Sequence, residues 1–193
     1  VVSLAITKNF KTFARLGALL PPEDKDACLF PRRFKGRFIL IHRPIVRGEA
    51  HIWLSFSPDL KHWGDHFPLI TTRTAYCDGL RVGLACQPVE TSEGWLLFYH
   101  GVRNTTAGAL YRLGLALLDL EEPWKVIRRA DEWILGPKAP YERVGDVGGV
   151  VFPTGVTIDE EKDLLHLYYG AADDTVAVAS AKMSDLLDYI INS

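Results

Sequence analysis

Short apolar runs rich in aromatic residues recur along the chain, parted by Gly, Pro, Asn and Asp. The clearest case is residues 94–120, GWLLFYHGVRNTTAGALYRLGLALLDL. Residues 95–99 are unbroken and apolar between Gly94 and Gly101, which predicts a strand buried on both faces. Residues 103–108 supply a polar loop, 111–118 a return strand, and 119–123 (Asp-Leu-Glu-Glu-Pro) end it. His100 and Tyr111 stand at the two ends of that loop, where a rigid sheet commonly presents its chemistry.

The remaining chain follows the same plan. Residues 1–6 read as a strand, 7–10 as a turn and 17–22 as a bend. Residues 28–31 and 37–42 form a hairpin through Phe34-Lys35-Gly36, and 51–57 form another strand that turns out over 58–63. A looser segment runs from Trp63 to Cys77, and residues 78–88 lead into the central hairpin. Residues 126–135 carry a polar strand and connection. Residues 150–153, 154–158 and 164–169 repeat the earlier hairpin, and 174–181 are a last strand. Residues 184–191 predict one short helix, with Ser184 as N-cap and Leu187, Ile190 and Ile191 on one face.

Four times an Asn or Asp followed by a bulky apolar residue turns the chain: Asn9-Phe10, Asp59-Leu60, Asp119-Leu120 and Asp185-Leu186, at spacings of 50, 60 and 66 residues. Units of a few short strands and a turn repeating on this scale point to β-propeller blades, with a β-sandwich as the competing architecture. The first unit lacks its front half. The expected fold is therefore all-β: one partial propeller domain over residues 1–193, about three complete blades plus part of another, and a short C-terminal helix.

Composition narrows the function. The 193 residues are 48% apolar and 24% charged, as in ordinary globular proteins, and a net charge of −2 gives no support for nucleic-acid binding. Cys28, Cys77 and Cys86 are too few and too irregular for a disulfide framework or a CxxC metal site, and read as reduced thiols in a cytoplasmic protein. No long apolar run marks a membrane span.

The basic residues beside the strands carry the candidate chemistry. Holding an anion needs several cations or hydrogen-bond donors in one place. Arg clamps phosphate bidentately and Lys supplies a point charge. Lys25, Arg43, Arg81 and His100 each sit beside a predicted strand. Plainer readings exist: Lys25 as a solvated loop lysine, Arg43 as partner of a carboxylate, His100 as a core histidine, Tyr111 as packing and Asp173 as a turn residue. Asp26 and Asp78 read as carboxylates that orient the neighbouring basic residues. Trp53, Trp63 and Trp95 offer faces for sugar stacking, though propeller blades more often bury such residues.

Several stretches taken together carry a resemblance: PPEDKDACLFP, HRP, SPDLKHWG, the segment 78–83 (DGLRVG), GWLLFYHGV, YRLGLALLDLEEP, VVFPTG and YYGAADD. On these the chain resembles glycoside hydrolase family 130, the β-mannoside phosphorylases, which are five-bladed propellers. The resemblance implies a phosphate pocket made by Lys25, Arg43, Arg81, His100 and Tyr111, and a mannosyl contact from Asp173. It implies a β-mannoside and inorganic phosphate as co-substrates with no other cofactor, no metal, and no nucleic-acid or membrane partner, and it leaves homo-oligomerisation open. The family's proton donor is an Asp in an EDPR-like motif. No EDPR occurs here, so no catalytic residue is expected in this chain, and that Asp is expected upstream of Val1. The sequence departs from the family at Arg81, where DGLR replaces a DSxK-like segment, and at residues 84–87 and 147–149. A β-mannoside hydrolase of the same family and a non-catalytic carbohydrate-binding propeller fragment are the alternative readings. Retention of Lys25, Arg43 and Arg81 favours phosphate.

Overall fold

A computed structural model describes residues 1–106 and 108–193. Its strands are β1 (Ser3–Ile6), β2 (Ala14–Ala18), β3 (Asp24–Leu29), β4 (Phe38–Val46), β5 (Glu49–Ala50), β6 (Ile52–Ser57), β7 (Gly64–Ile70), β8 (Arg81–Leu84), β9 (Val89–Thr91), β10 (Gly94–Thr105), β11 (Gly108–Leu118) and β12 (Val126–Arg129). A single helical turn, α1 (Pro140–Arg143), precedes β13 (Val151–Asp159), β14 (Leu164–Ala171), β15 (Thr175–Lys182) and the helix α2 (Met183–Asn192).

Three antiparallel units follow one another. The first runs β3-β4-β6-β7 and the second β8-β10-β11-β12, with β9 also on β10. The third is β13-β14-β15, and β1 and β2 form a separate hairpin. One parallel contact, Ala50 of β5 against Arg81 of β8, joins the first unit to the second.

The central strand packs both ways. Strand side chains alternate between faces. In β10, Trp95, Leu97 and Tyr99 join a core with Ile39 and Ile41 of β4 and Ile52 and Leu54 of β6. Leu96 and Phe98 of the same strand join a second core with Leu113, Leu115, Leu165, Leu167 and Ile190. Trp95 is fully enclosed, and its indole Nε1 donates to the Leu120 carbonyl at 3.0 Å. It is therefore a core residue, with no face left for a sugar.

Three expectations change. Residues 64–70 are the strand β7 rather than loose chain, because Pro68 sits at a register shift on an edge strand, where its missing N–H costs no ladder bond. Of the polar loop expected at 103–108, residue 107 lies outside the described residues, and residues 103–105 and 108 belong to the hairpin: β10 and β11 stay paired out to Thr105↔Gly108, and His100 and Tyr111 lie within the ladder rather than at its ends. Ser184 is not an N-cap. Helix α2 begins one residue earlier, and the Asp163 carboxylate from the β13–β14 turn accepts both the Ser184 N–H (3.1 Å) and its hydroxyl (2.5 Å).

The repeat has a physical basis in its first three copies. Asn9 Oδ1 accepts from the N–H groups of Lys11 and Thr12, Asp59 Oδ1 from Lys61 and His62, and Asp119 Oδ1 from Glu121 and Glu122. These are Asx turns. In the first two, the preceding Thr7 or Ser57 hydroxyl accepts from Phe10 or Leu60, whose φ values are +56° and +67°. The fourth pair, Asp185-Leu186, lies inside α2 and is no turn.

One buried ion cluster ties the second unit to the loop before it. Asp78, fully enclosed, accepts from Arg73 Nη2 (2.9 Å), Arg129 Nη2 (2.8 Å) and the Tyr99 hydroxyl (3.0 Å). Asp78 thus orients Arg73 and Arg129, not its sequence neighbour Arg81. Burial, together with the Asp78 charge, pushes the Tyr99 phenol up to about 12 against the pull of Arg129. Breaking a buried pair by removing one partner costs about 3–5 kcal/mol. Asp78→Asn is therefore expected to lower the urea midpoint by a loss of about 3 kcal/mol, with an unchanged denaturant slope.

Candidate functional site

The site grows from the register of two sheets. Lys25 and Arg43 are directly paired between β3 and β4. In the second unit Arg81 pairs with Val102, and Val102 with Tyr111; Gly83 pairs with His100. Paired residues share a face, so Arg81, His100 and Tyr111 stand on one face of β8-β10-β11.

Asp26 joins the two sheets. Its Oδ2 lies 2.7 Å from Arg43 Nε and 3.5 Å from His100 Nε2. Arg43 and His100 are buried, and Asp26 nearly so. The Arg43–Asp26 contact is an ion pair without hydrogen-bond alignment: Arg43 Nε, Asp26 Oδ2 and His100 Nδ1 are all buried with no hydrogen-bond partner among the described residues. Buried polar atoms are normally satisfied. Three such atoms in one cluster mark a place that a polar ligand would complete.

Glycine makes that approach possible. A Cβ on Gly83 would come within 2.4 Å of Asp26 Oδ2 and 2.5 Å of His100 Cε1. Asp26 itself has φ +50°, a left-handed conformation that Asp tolerates better than most residues.

Burial sets the protonation states. It drives the His100 imidazole down to about 3, aided by the Arg43 and Lys25 charges and opposed by the Leu84 carbonyl. His100 is thus neutral near pH 7, able to donate from one ring nitrogen and accept at the other. Burial also raises the Asp26 carboxyl, against the charges of Arg43 and Lys25.

Next to this cluster, Phe152 of β13 packs its ring 4.7 Å from that of His100. Phe152 lines two pockets. One, of about 290 Å³, is bounded by Tyr111, Val147, Val150, Phe152 and Asp173. The other, of about 260 Å³, includes Asp26, Cys28, Cys86, Gln87 and Thr154. The Tyr111 and His100 ring centres are 6.2 Å apart.

Lys25, Arg43 and His100 therefore gather around Asp26, while Tyr111 and Asp173 share the neighbouring pocket. Arg81 stands exposed on the same sheet face, two residues along β8 from Gly83. The sequence reading missed Glu142. This buried carboxylate accepts from the Lys138 and Ala139 N–H groups (2.6 and 2.7 Å) and the Tyr169 hydroxyl (2.8 Å). Its backbone carbonyl accepts from Gly149 and Val150, so it shapes the loop that walls the Tyr111 pocket. A Glu two residues after Pro140 is a weak signal, and nothing else in the sequence singles it out.

The sequence profile of the beta-1,4-mannooligosaccharide phosphorylase family matches residues 1–192. The chain belongs to glycoside hydrolase family 130. It is 37% identical over 192 residues to the beta-1,4-mannooligosaccharide phosphorylase of Ruminococcus albus, covering 98% of this chain and 57% of that protein. It is 41% identical over 187 residues to the beta-1,2-mannobiose phosphorylase of Listeria innocua, covering 96% of this chain and 51% of that protein. A crystal structure of a Listeria innocua beta-1,2-mannobiose phosphorylase in complex with beta-1,2-mannobiose superposes with a TM-score of 0.92 at 39% identity, over 99% of this chain and 53% of that one. The family 130 chain thus spans about half the length of these relatives. Its all-β class, its membership of a five-bladed β-propeller family and its short C-terminal helix agree with the sequence reading.

Two outcomes test this site. Gly83→Ala forces a Cβ into the Asp26–His100 contact, and overpacking of this kind costs about 1–3 kcal/mol. It is expected to lower the urea midpoint by a stability loss of that amount. The second concerns acid. His100 is held neutral in the fold, whereas the unfolded chain binds a proton below its ordinary value of 6.5. The stability from that difference is present above pH 6.5 and is lost as pH falls towards about 3, at up to about 1.4 kcal/mol per pH unit. The raised Asp26 acts oppositely, favouring the fold once it takes up a proton on further acidification, above its ordinary value of 3.8. His100→Gln is expected to flatten the stability profile just below pH 6.5, followed by urea midpoints.

Proposed function

We propose that the protein carrying this chain cleaves a β-mannoside with inorganic phosphate, releasing mannose 1-phosphate. The observation that carries the reading is the Lys25–Arg43–Asp26–His100 cluster, whose buried donors lack partners beside a pocket lined by Tyr111 and Asp173. The names of the relatives point the same way.

In this reading Lys25, Arg43 and Arg81 hold the phosphate dianion, and His100 and Tyr111 donate to its remaining oxygens. A phosphate oxygen attacks the anomeric carbon as the glycosidic C–O bond breaks. A proton passes to the departing hydroxyl from an acid assigned to none of these residues. Asp173 accepts hydrogen bonds from mannosyl hydroxyls and fixes the ring. Neutral His100 suits the role, because it adds a donor without competing with Arg43 for Asp26. A hydrolase would instead need a carboxylate to activate water. Asp26 is already engaged with Arg43, which disfavours that alternative.

The test supplies the protein with a mannobiose, with and without phosphate. Sugar phosphate formed only with phosphate supports the proposal; equal sugar release in both, with no sugar phosphate, moves the assignment to hydrolase. Removing one charged donor to an oxyanion costs about 2–4 kcal/mol in the transition state, or about two to three decades in rate. Lys25→Ala is expected to lose phosphorolysis by that factor with its fold intact, because Lys25 is exposed. Arg43→Ala is expected to lose stability as well, because it leaves Asp26 buried beside no arginine.

A further inference from the structure

On the first sheet, four side chains that the proposed reaction does not use form a continuous row. His42 Nδ1 lies 2.6 Å from Asp24 Oδ2, His42 Nε2 lies 2.7 Å from Ser55 Oγ, and Ser55 Oγ lies 2.6 Å from His66 Nδ1. The row takes one residue from each of β3, β4, β6 and β7, in the order in which those strands pair. Asp24, His42 and Ser55 are buried, and His66 is exposed at the outer end.

The order Asp–His–Ser has the pattern of an acyl-transfer triad. Its geometry excludes that use. Ser55 has no exposed surface, and its oxygen also takes the bond to His66, so no electrophile reaches it. One arrangement of hydrogens uses each group once. His42 Nδ1–H donates to the Asp24 carboxylate, the Ser55 hydroxyl donates to His42 Nε2, and His66 Nδ1–H donates to Ser55 Oγ.

The row stands where the backbone ladder is interrupted. Asp24 is paired with Pro44, which has no N–H to give, and the next N–H, of Ile45, donates to the Glu23 carbonyl at 3.1 Å. Beyond Lys25 the register breaks in a bulge before Cys28, and Asp26 within it is left-handed. Strand alternation sets Asp24 against Lys25 and His42 against Arg43 on opposite faces. The row thus anchors the strand pair from the face opposite the cations.

We propose that Asp24, His42, Ser55 and His66 are positioning residues: their row holds the β3 bulge in the conformation that presents Lys25 to the anion and sets Asp26 against Arg43. This rests on the phosphate-binding reading of Lys25 and Arg43. The row acts through those residues and touches no substrate.

Ser55→Ala cuts the row at its centre for the loss of one oxygen atom. Three measurements on this chain follow it: the far-downfield imidazole N–H resonance of His42, amide hydrogen exchange, and phosphate affinity by calorimetry. The variant is expected to lose the downfield resonance and to speed exchange at residues 24–28 relative to β13, β14 and β15. It should also weaken phosphate binding about 2- to 100-fold, the range for coupled neighbouring groups. Exchange speeded equally in all three sheets would make the row a general stability element and overturn the proposal, as would unchanged exchange at residues 24–28. Should Ser55→Ala fail to fold, His66→Phe cuts the row from its exposed end and is read the same way. A wild-type chain that binds no phosphate defeats the phosphate reading, and the exchange pattern then decides the positioning of the bulge.

Discussion

From Gly94 to Val102 every residue of β10 is buried, and the strand lies between two cores. A strand with no face turned to water must find partners on both sides and along both edges. It has β8 and β9 on one edge and β11 on the other, with apolar layers above and below. His100 inherits this enclosure as the last polar side chain before the hairpin leaves the core. Its neutrality follows from where the strand runs, since burial is the largest influence on its imidazole.

The same enclosure governs the charges. Asp26 and Arg43 lie together where water cannot screen them, and removing either strands the other. Such pairs contribute little net stability but fix geometry, and here the geometry brings two sheets to a common point. Asp78 performs the parallel task on the far face of the second unit, holding Arg73, Arg129 and Tyr99 together. The two carboxylates differ in one respect that matters for chemistry. Donors from three residues surround Asp78, whereas the oxygen that Asp26 turns towards Arg43 and His100 has none among the described residues.

The Asp24–His42–Ser55–His66 row shows how an ordinary four-stranded sheet supports an irregular edge. Pro44 and the bulge remove regular ladder bonds, and side chains replace them laterally across the sheet. Every strand contributes one member, so the support is only as continuous as the sheet itself.

The apolar runs and their punctuation were enough to determine an all-β chain, the central two-face strand and the Asx turns at Asn9, Asp59 and Asp119, because alternation and turn chemistry act over a few residues. The residues proposed for the site, Lys25, Arg43, Arg81 and His100, could be singled out from the sequence because they stand beside apolar strands. Their partners could not. Asp78 sits three residues before Arg81 yet binds Arg129, 51 residues away, and Asp26 meets His100 across two sheets. Ser184 and Asp185-Leu186 gave local signals of a cap and a turn, and the helix that the neighbouring apolar residues impose overrode both. Tertiary structure alone decided which charges meet, because register and sheet packing bring together residues that are remote in the chain.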